Sequence, residues 1–190
     1  MGPTVRGPYI SVVTDEDSWY VQLRSQWKPD GVKLLMIAES APTYGGDISA
    51  RRFFYSDRLG PDNLFRGVVK ATYGVSKADL QRTGKRPWLE RLRDDGFFLI
   101  DLAQSPVNAL GAVERRRILH DAVPSCVARA SALDPVGVVV VKTNLYELLS
   151  KPLISAGLPL LHERPIAFPL GNMRAKFVSD FNQARQRLPE

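Results

Sequence analysis

The sequence predicts an α/β fold of three layers, in which a central four-stranded parallel sheet lies between helices. Four short apolar runs indicate buried strands, and a segment with helical features separates each run from the next. This alternation is typical of parallel strands joined by right-handed crossovers, with helices on both faces of the sheet. The predicted strands are Lys33–Ala38, Phe97–Leu102, Val136–Val141 and a short strand centred on Ile166–Phe168.

Charge order and turn residues predict the helices of the first half. Thr14 precedes several acids, and bases follow them, which suits the helix macrodipole and predicts a helix over residues 14–28. Pro61 fits a first helical turn and Gly74 a stop, which predicts a helix between them. A shorter helix is predicted from Pro87 to Gly96. No helix is predicted in the polar, basic segment 76–86.

The second half contains three helical segments. The segment 114–133 is helical on both sides of Pro124, which should kink it or divide it into two helices. Thr143 or Asn144 is a natural cap for a helix that ends near residue 155. The last helix is predicted over residues 173–187, with its basic side chains outside.

Composition predicts a single domain, residues 1–190, with a basic surface. The chain has 44% hydrophobic residues, enough for one buried core, and a net charge of +6. This charge is about equally consistent with binding to a polyanion and with a basic surface that only keeps the protein soluble. One cysteine, Cys126, excludes an internal disulfide, a four-cysteine zinc site and an iron–sulfur cage. Neither a signal peptide nor a membrane span is visible, so a cytoplasmic protein is expected.

Known cofactor motifs are missing from the sequence. No GxGxxG follows a strand and no GxxxxGK[ST] occurs, so dinucleotide and P-loop sites are not predicted. His120 and His162 lack neighbouring zinc ligands and are interpreted as surface or structural residues. We therefore expect neither a metal nor another cofactor.

Polar residues at the carboxyl ends of the predicted strands form the candidate site. Glu39, Asp101 and Asn144 follow three different strands, and a doubly wound sheet brings such loops to one edge. Two carboxylates and an amide can orient water and hydrogen-bond to a base edge. The alternative, equally open at this point, is that Glu39 or Asp101 caps its own loop through backbone N–H groups.

An aromatic triplet, Phe53-Phe54-Tyr55, follows the first strand. These three residues can belong to the ordinary core. However, three consecutive side chains cannot all point the same way, so at least one is expected to face a cleft and offer a stacking surface.

The segment Leu34–Asp57 resembles the first motif of the uracil-DNA glycosylase superfamily, and it is most similar to the iron–sulfur glycosylases. The matching positions, in order, are Ala41-Pro42, Gly45-Gly46, Arg52, Phe54 and Asp57, followed by Leu59, Gly60 and Leu64. The order of the later apolar runs agrees, so the resemblance spans about residues 33–188. It implies a uracil-DNA glycosylase-like fold.

The sequence departs from the superfamily pattern at three places that matter for base excision or for cofactor binding. Phe168-Pro169-Leu170 replaces the His-Pro-Ser that contacts uracil and stabilises its developing negative charge. Asp101 stands where several members have an asparagine, and an anion there would repel a uracilate unless it were protonated. The cluster cysteines are absent.

The resemblance implies a monofunctional DNA glycosylase of base excision repair that hydrolyses the N-glycosidic bond of uracil or another deaminated base. The alternatives are a nucleic-acid-binding protein that has lost base excision on the same fold and, more weakly, an enzyme acting on free nucleosides or nucleotides. The partner implied is DNA, whose target nucleotide would flip into the pocket. The implied residues are catalytic Glu39 and Asp101; base-binding Phe54, Tyr55, Tyr44 and Asn144; and DNA-binding Arg52, Leu170, Asn172, Met173, Arg174 and Lys176.

Overall fold

The computed structural model describes residues 15–43 and 52–189 as an α/β fold. In this part of the chain three strands alternate with helices. The strands are β1 (Leu34–Ala38), β2 (Phe97–Asp101) and β3 (Gly137–Val140). The helices are α1 (Asp15–Gln26), α2 (Asn63–Tyr73), α3 (Lys77–Thr83), α4 (Arg86–Asp94), α5 (Ala112–Asp121), α6 (Val123–Ser131), α7 (Thr143–Ser155) and α8 (Met173–Arg185).

The three strands form a parallel sheet in the order β2-β1-β3. The register aligns Ala38 with Asp101 and Ile37 with Val140, so the three strands end at the same edge. Every residue of the three strands is buried. Since alternate residues of a strand point to opposite faces, the sheet is covered on both sides, which explains why its strands are continuously apolar.

The segment predicted as a fourth strand forms only an isolated parallel bridge, between Ile166 and Val141. The described residues therefore form a three-stranded sheet instead of the predicted four-stranded one. Pro165 and Pro169 flank the segment, and neither has the N–H group that a strand needs to extend the ladder. The carbonyl of Ile166 still accepts a hydrogen bond from the backbone N–H of Lys142 at 2.8 Å, which fixes the segment beside β3.

The helix predictions are confirmed with three corrections. Pro61 does not lie in the first turn of α2, because Asp62 caps this helix and Asn63 begins it. Helix α3 was not predicted, although Ser76 and Asp79 form a capping box at its start. The predicted cap of α7 is wrong, because Thr143 already belongs to the helix and Lys142 precedes it without a side-chain cap. Thr14, the expected cap of α1, lies outside the described residues.

Helix α2 packs closely on α8, and a glycine permits it. A Cβ atom built at Gly67 of α2 would lie 2.7 Å from the Phe177 ring of α8 and 3.1 Å from Pro169. The absent side chain thus allows α8 and the turn at residues 168–171 to lie directly against α2. None of the described helices is long and apolar enough to span a membrane.

Candidate functional site

A cavity of about 750 Å³ lies at the carboxyl edge of the sheet. Glu39 follows β1, Asp101 ends β2 and Lys142 follows β3 by two residues, and all three line the cavity. Phe54 and Phe168 contribute aromatic side chains to its wall. This volume is within the range of small-molecule sites in proteins.

The Glu39 carboxylate is bound by two cations from distant parts of the chain. Arg115 of α5 binds Oε1 through two guanidinium nitrogens, and the Lys142 ammonium binds Oε2. The Glu39 side chain is 11% exposed, whereas those of Arg115 and Lys142 are about one-third exposed. Glu39 is therefore a nearly buried anion whose two oxygens are both occupied.

Asp101 is a buried carboxylate paired with a cation of α1. Its Oδ2 accepts a hydrogen bond from Arg24 Nη2 at 2.7 Å. Arg129 of α6 donates to the backbone carbonyls of Asp101 and Leu102, both at 2.9 Å. Burial raises the pKa of the Asp101 carboxyl above its ordinary value, and Arg24 opposes that shift. The partners of Asp101 and Glu39 favour ion pairing over the loop-capping alternative.

A third carboxylate of the cavity wall, Asp62, pairs with Lys85, a fully buried lysine that was not predicted. Lys85 Nζ donates to Asp62 Oδ2 at 2.9 Å and to the carbonyl of Phe53 at 2.8 Å. Asp62 Oδ1 accepts from the backbone N–H of Phe65 and caps α2. Burial lowers the pKa of Lys85, and the charge of Asp62 opposes this shift.

All three members of the aromatic triplet are buried. Phe53 and Phe54 line the cavity, and the Phe54 ring packs edge-to-face on Phe65 with the centroids 5.5 Å apart. Tyr55 instead lies in the core, where its hydroxyl accepts a hydrogen bond from the N–H of Leu99 and donates to the Leu99 carbonyl. Phe54 is thus in position to contact a ligand, whereas Tyr55 fastens the loop to β2.

The other predicted site residues are divided between the cavity and the surface. Arg52 and Leu170 line the cavity. Asn144 is exposed in the first turn of α7 and does not line it. Arg174 donates to Asn63 Oδ1 at 3.2 Å, and Asn63 is part of the cavity wall.

Further from the cavity, Lys176 pairs with Asp180 at 2.7 Å on the outside of α8. Asn172 and Met173 lie at the start of that helix, outside the cavity lining. Tyr44 and the paired glycines of the motif, Gly45 and Gly46, lie outside the described residues.

Arg115 and Lys142 were not predicted as site residues. For Lys142, the sequence does contain an indication: a basic residue stands two positions after a buried strand of valines, at the strand end where ligands bind. The structure adds a second one, because Lys142 has a φ of 98°, in a region that side-chain-bearing residues rarely adopt. Arg115 belongs to a run of three arginines on α5, so sequence alone does not distinguish it from its neighbours.

Within residues 15–43 and 52–189, no group of three or more acidic, histidine or cysteine side chains is arranged to hold a metal ion. The arrangement instead offers paired charges and an aromatic wall around a nucleoside-sized space. No protein-family model, curated protein or solved structure matches the chain.

Proposed function

We propose that the protein is a DNA glycosylase of uracil-DNA glycosylase type that excises uracil or another deaminated base. The observation that carries the proposal is that Glu39, Phe54 and Asp101, which the motif resemblance selects, all line one cavity at the carboxyl edge of the sheet. Ligands of open α/β sheets bind at this edge.

The cavity and its rim suit a base that has been extruded from DNA. Phe54 offers a ring for stacking, and the volume of about 750 Å³ can hold a nucleobase with part of its sugar. Leu170, which is 60% exposed, and Phe168, which is 36% exposed, lie at the cavity and can fill the gap that the extruded base leaves. The net charge of +6 suits the phosphate backbone.

In the proposed reaction Glu39 orients the attacking water and stabilises positive charge on the sugar. Hydrolysis forms a bond between the water oxygen and C1′ and breaks the bond between C1′ and the base nitrogen, which leaves with the bonding electrons. A fixed carboxylate near C1′ stabilises the cationic sugar electrostatically as this bond breaks. The product is an abasic site and a free base.

A second candidate function is nucleic-acid binding without excision. Two observations favour it: cations occupy both Glu39 oxygens, and Phe168 stands where the superfamily has its histidine. This candidate uses the same cavity and the same basic surface, so excision is what separates the two.

The deciding experiment is an excision assay on labelled oligonucleotides. Single- and double-stranded DNA with one uracil, hypoxanthine or xanthine is incubated with the protein and then treated with alkali, which breaks the strand at abasic sites. We expect breaks with at least one lesion, and a loss of about 10²-fold or more in rate for Glu39→Gln. Glu114→Gln is the matched control, because Glu114 is an exposed acid beside Arg115 on α5.

DNA binding without breaks for any lesion would refute the glycosylase and support the second candidate. Full activity in Glu39→Gln would refute the role given to Glu39. Failure to bind DNA would refute both candidates and direct attention to free nucleotides.

A further inference from the structure

Lys142 is the cavity cation at the carboxyl end of β3, close to where Asn144 was expected to contact the base. Its ammonium binds Glu39, and its side chain is about one-third exposed, so a ligand in the cavity can reach it. We propose that Lys142 is a catalytic residue that donates a hydrogen bond to the departing base and neutralises its negative charge. This inference rests on the proposed glycosylase function.

The backbone of Lys142 supports a functional role, because it is held in a strained conformation from both sides. The φ angle of 98° is one that favours glycine. The N–H of Lys142 donates to the carbonyl of Ile166 at 2.8 Å, and its own carbonyl accepts from Leu145 and Tyr146 at 3.1 Å each. A glycine would relieve the strain, yet the chain has a long basic side chain at this position, directed into the cavity wall.

Among the described carboxylates of the cavity wall, Glu39 differs in binding two cations through its side chain. Asp62 and Asp101 are each held by a cation that is itself buried or nearly so, Lys85 at 0% and Arg24 at 15% side-chain exposure. Removing either cation would leave a buried charge unpaired, which is strongly unfavourable. Glu39 differs, because Arg115 holds Oε1 while Lys142 holds Oε2. Lys142 can therefore move to a ligand while Arg115 stays paired with Glu39 Oε1.

The movement of Lys142 from Glu39 to the base would assist both the departure of the base and the attack of water. As Lys142 turns to a carbonyl oxygen of the base, Glu39 Oε2 becomes free to accept a hydrogen bond from the attacking water. The C1′–N bond breaks with both electrons going to the base, whose negative charge spreads onto the carbonyl oxygen beside the Lys142 ammonium. The water oxygen bonds to C1′, its proton passes to solvent by way of Glu39, and the base anion takes one proton from solvent.

The test compares two leaving groups in the same DNA under single-turnover conditions. The N1 proton of 5-fluorouracil is more acidic than that of uracil, so its anion leaves more readily and needs less stabilisation. We expect Lys142→Met to slow uracil excision about 10²-fold or more, and to slow 5-fluorouracil excision by a clearly smaller factor. If the wild type prefers a purine lesion, hypoxanthine and its N7-methyl derivative form the corresponding pair.

Two further variants separate chemistry from folding. Lys142→Gly also removes the ammonium but suits the backbone angle, so it should fold and show the same dependence on the leaving group. Lys142→Arg should restore part of the uracil rate. Lys151→Met, at an exposed lysine of α7, is the matched control and should leave both rates unchanged.

The outcomes distinguish this inference from the proposed function. Wild-type protein that excises no base overturns both. An active wild type with unchanged rates in Lys142→Met and Lys142→Gly overturns the role of Lys142 alone. Equal losses for the two leaving groups also overturn it, because they would show that Lys142 aids binding or structure without stabilising the departing base.

Discussion

The ammonium of Lys85 lies 2.8 Å from the backbone carbonyl of Phe53, under the aromatic wall of the cavity. The same ammonium lies 4.5 Å from the centroid of the Phe65 ring and 2.9 Å from a carboxylate oxygen of Asp62. One buried charge thus connects the aromatic loop, the start of α2 and the polar segment before α4. Phe54, the ring proposed to stack on a base, directly follows the residue that Lys85 holds, so its position depends on this connection.

Lys85→Met should destabilise the protein by about 3–5 kcal/mol, because it leaves the partly buried carboxylate of Asp62 without its cation. The measurement is the free energy of unfolding in urea. Adding Asp62→Asn should recover part of the loss, since asparagine removes the charge and still caps α2. Arg82→Met is the control, because it breaks only the solvent-exposed Arg82–Asp79 pair and should change the stability far less. A loss of similar size in Lys85→Met and Arg82→Met would contradict the prediction.

Gly67→Ala should destabilise the protein by about 1–3 kcal/mol, because the new methyl group would overlap the Phe177 ring. In an exposed helix the same change would be stabilising. Thermal and urea unfolding measure the effect. Gly31→Ala is the control, since a Cβ atom there has no neighbour within 4 Å. A Gly67→Ala protein as stable as the wild type would contradict the prediction, because it would show that the Phe177 ring can shift to make room for a methyl group.

His162 should make the protein less stable as the pH falls below about 6.5. Its Nε2 accepts a hydrogen bond from the N–H of Val140 at 3.0 Å, and the other ring nitrogen donates to the carbonyl of Arg164 at 2.8 Å. Burial lowers the pKa of His162, although the Arg164 carbonyl opposes the shift. The unfolded chain therefore takes up a proton at a pH where the folded protein does not, and stability that is present above pH 6.5 is lost on acidification.

Urea unfolding at pH 7.5, 6.5 and 5.5 tests the prediction for His162. The wild type should lose at most about 1.4 kcal/mol per pH unit through this group. His162→Gln should be less stable at pH 7.5 but should depend less on pH. His120→Gln, at an exposed position of α5, should keep the wild-type dependence. The same dependence in wild type and His162→Gln would rule the mechanism out.

Lys142→Gly should be more stable than Lys142→Ala by about 1 kcal/mol, although glycine usually destabilises. Both variants lack the ammonium, so their difference reports the backbone. Strain of about 1–3 kcal/mol at φ 98° is relieved in the glycine variant, and the greater freedom of glycine in the unfolded chain offsets about 0.5–1 kcal/mol of it. At Lys151, inside α7, the order should reverse. If alanine were the more stable choice at both positions, Lys142 would not be strained.

The sequence predicted those parts of the fold that depend on local pattern. The strand runs and Gly74 as the end of α2 are found at or near their predicted positions, since burial and left-handed backbone leave a signal in consecutive residues. Helix α3 carried such a signal as well, because Ser76 and Asp79 have the spacing of a capping box. The prediction of a fourth strand was wrong, because it was based on apolar residues alone. The flanking prolines lack the N–H groups that a strand needs for its hydrogen bonds.

The candidate site was predictable only in its strand-end positions. Glu39 and Asp101 could be placed at one edge, because parallel strands require it. Their partners could not be placed, because Arg115, Lys142 and Arg24 lie 76, 103 and 77 residues away from the carboxylates they bind. Such pairs depend on how the helices pack on the sheet, and the order of charges along the chain does not determine that packing.

The pairing of Glu39 with both Arg115 and Lys142 also affects how a product would leave the cavity. A ligand that draws Lys142 away from Glu39 Oε2 competes with that oxygen, so the protein contains its own competitor for the cation. This competitor is tethered beside its target, where its effective concentration is far above that of a free base in solution. In the proposed reaction the excised base would be expelled when Glu39 takes Lys142 back, and product inhibition by the free base should be weak.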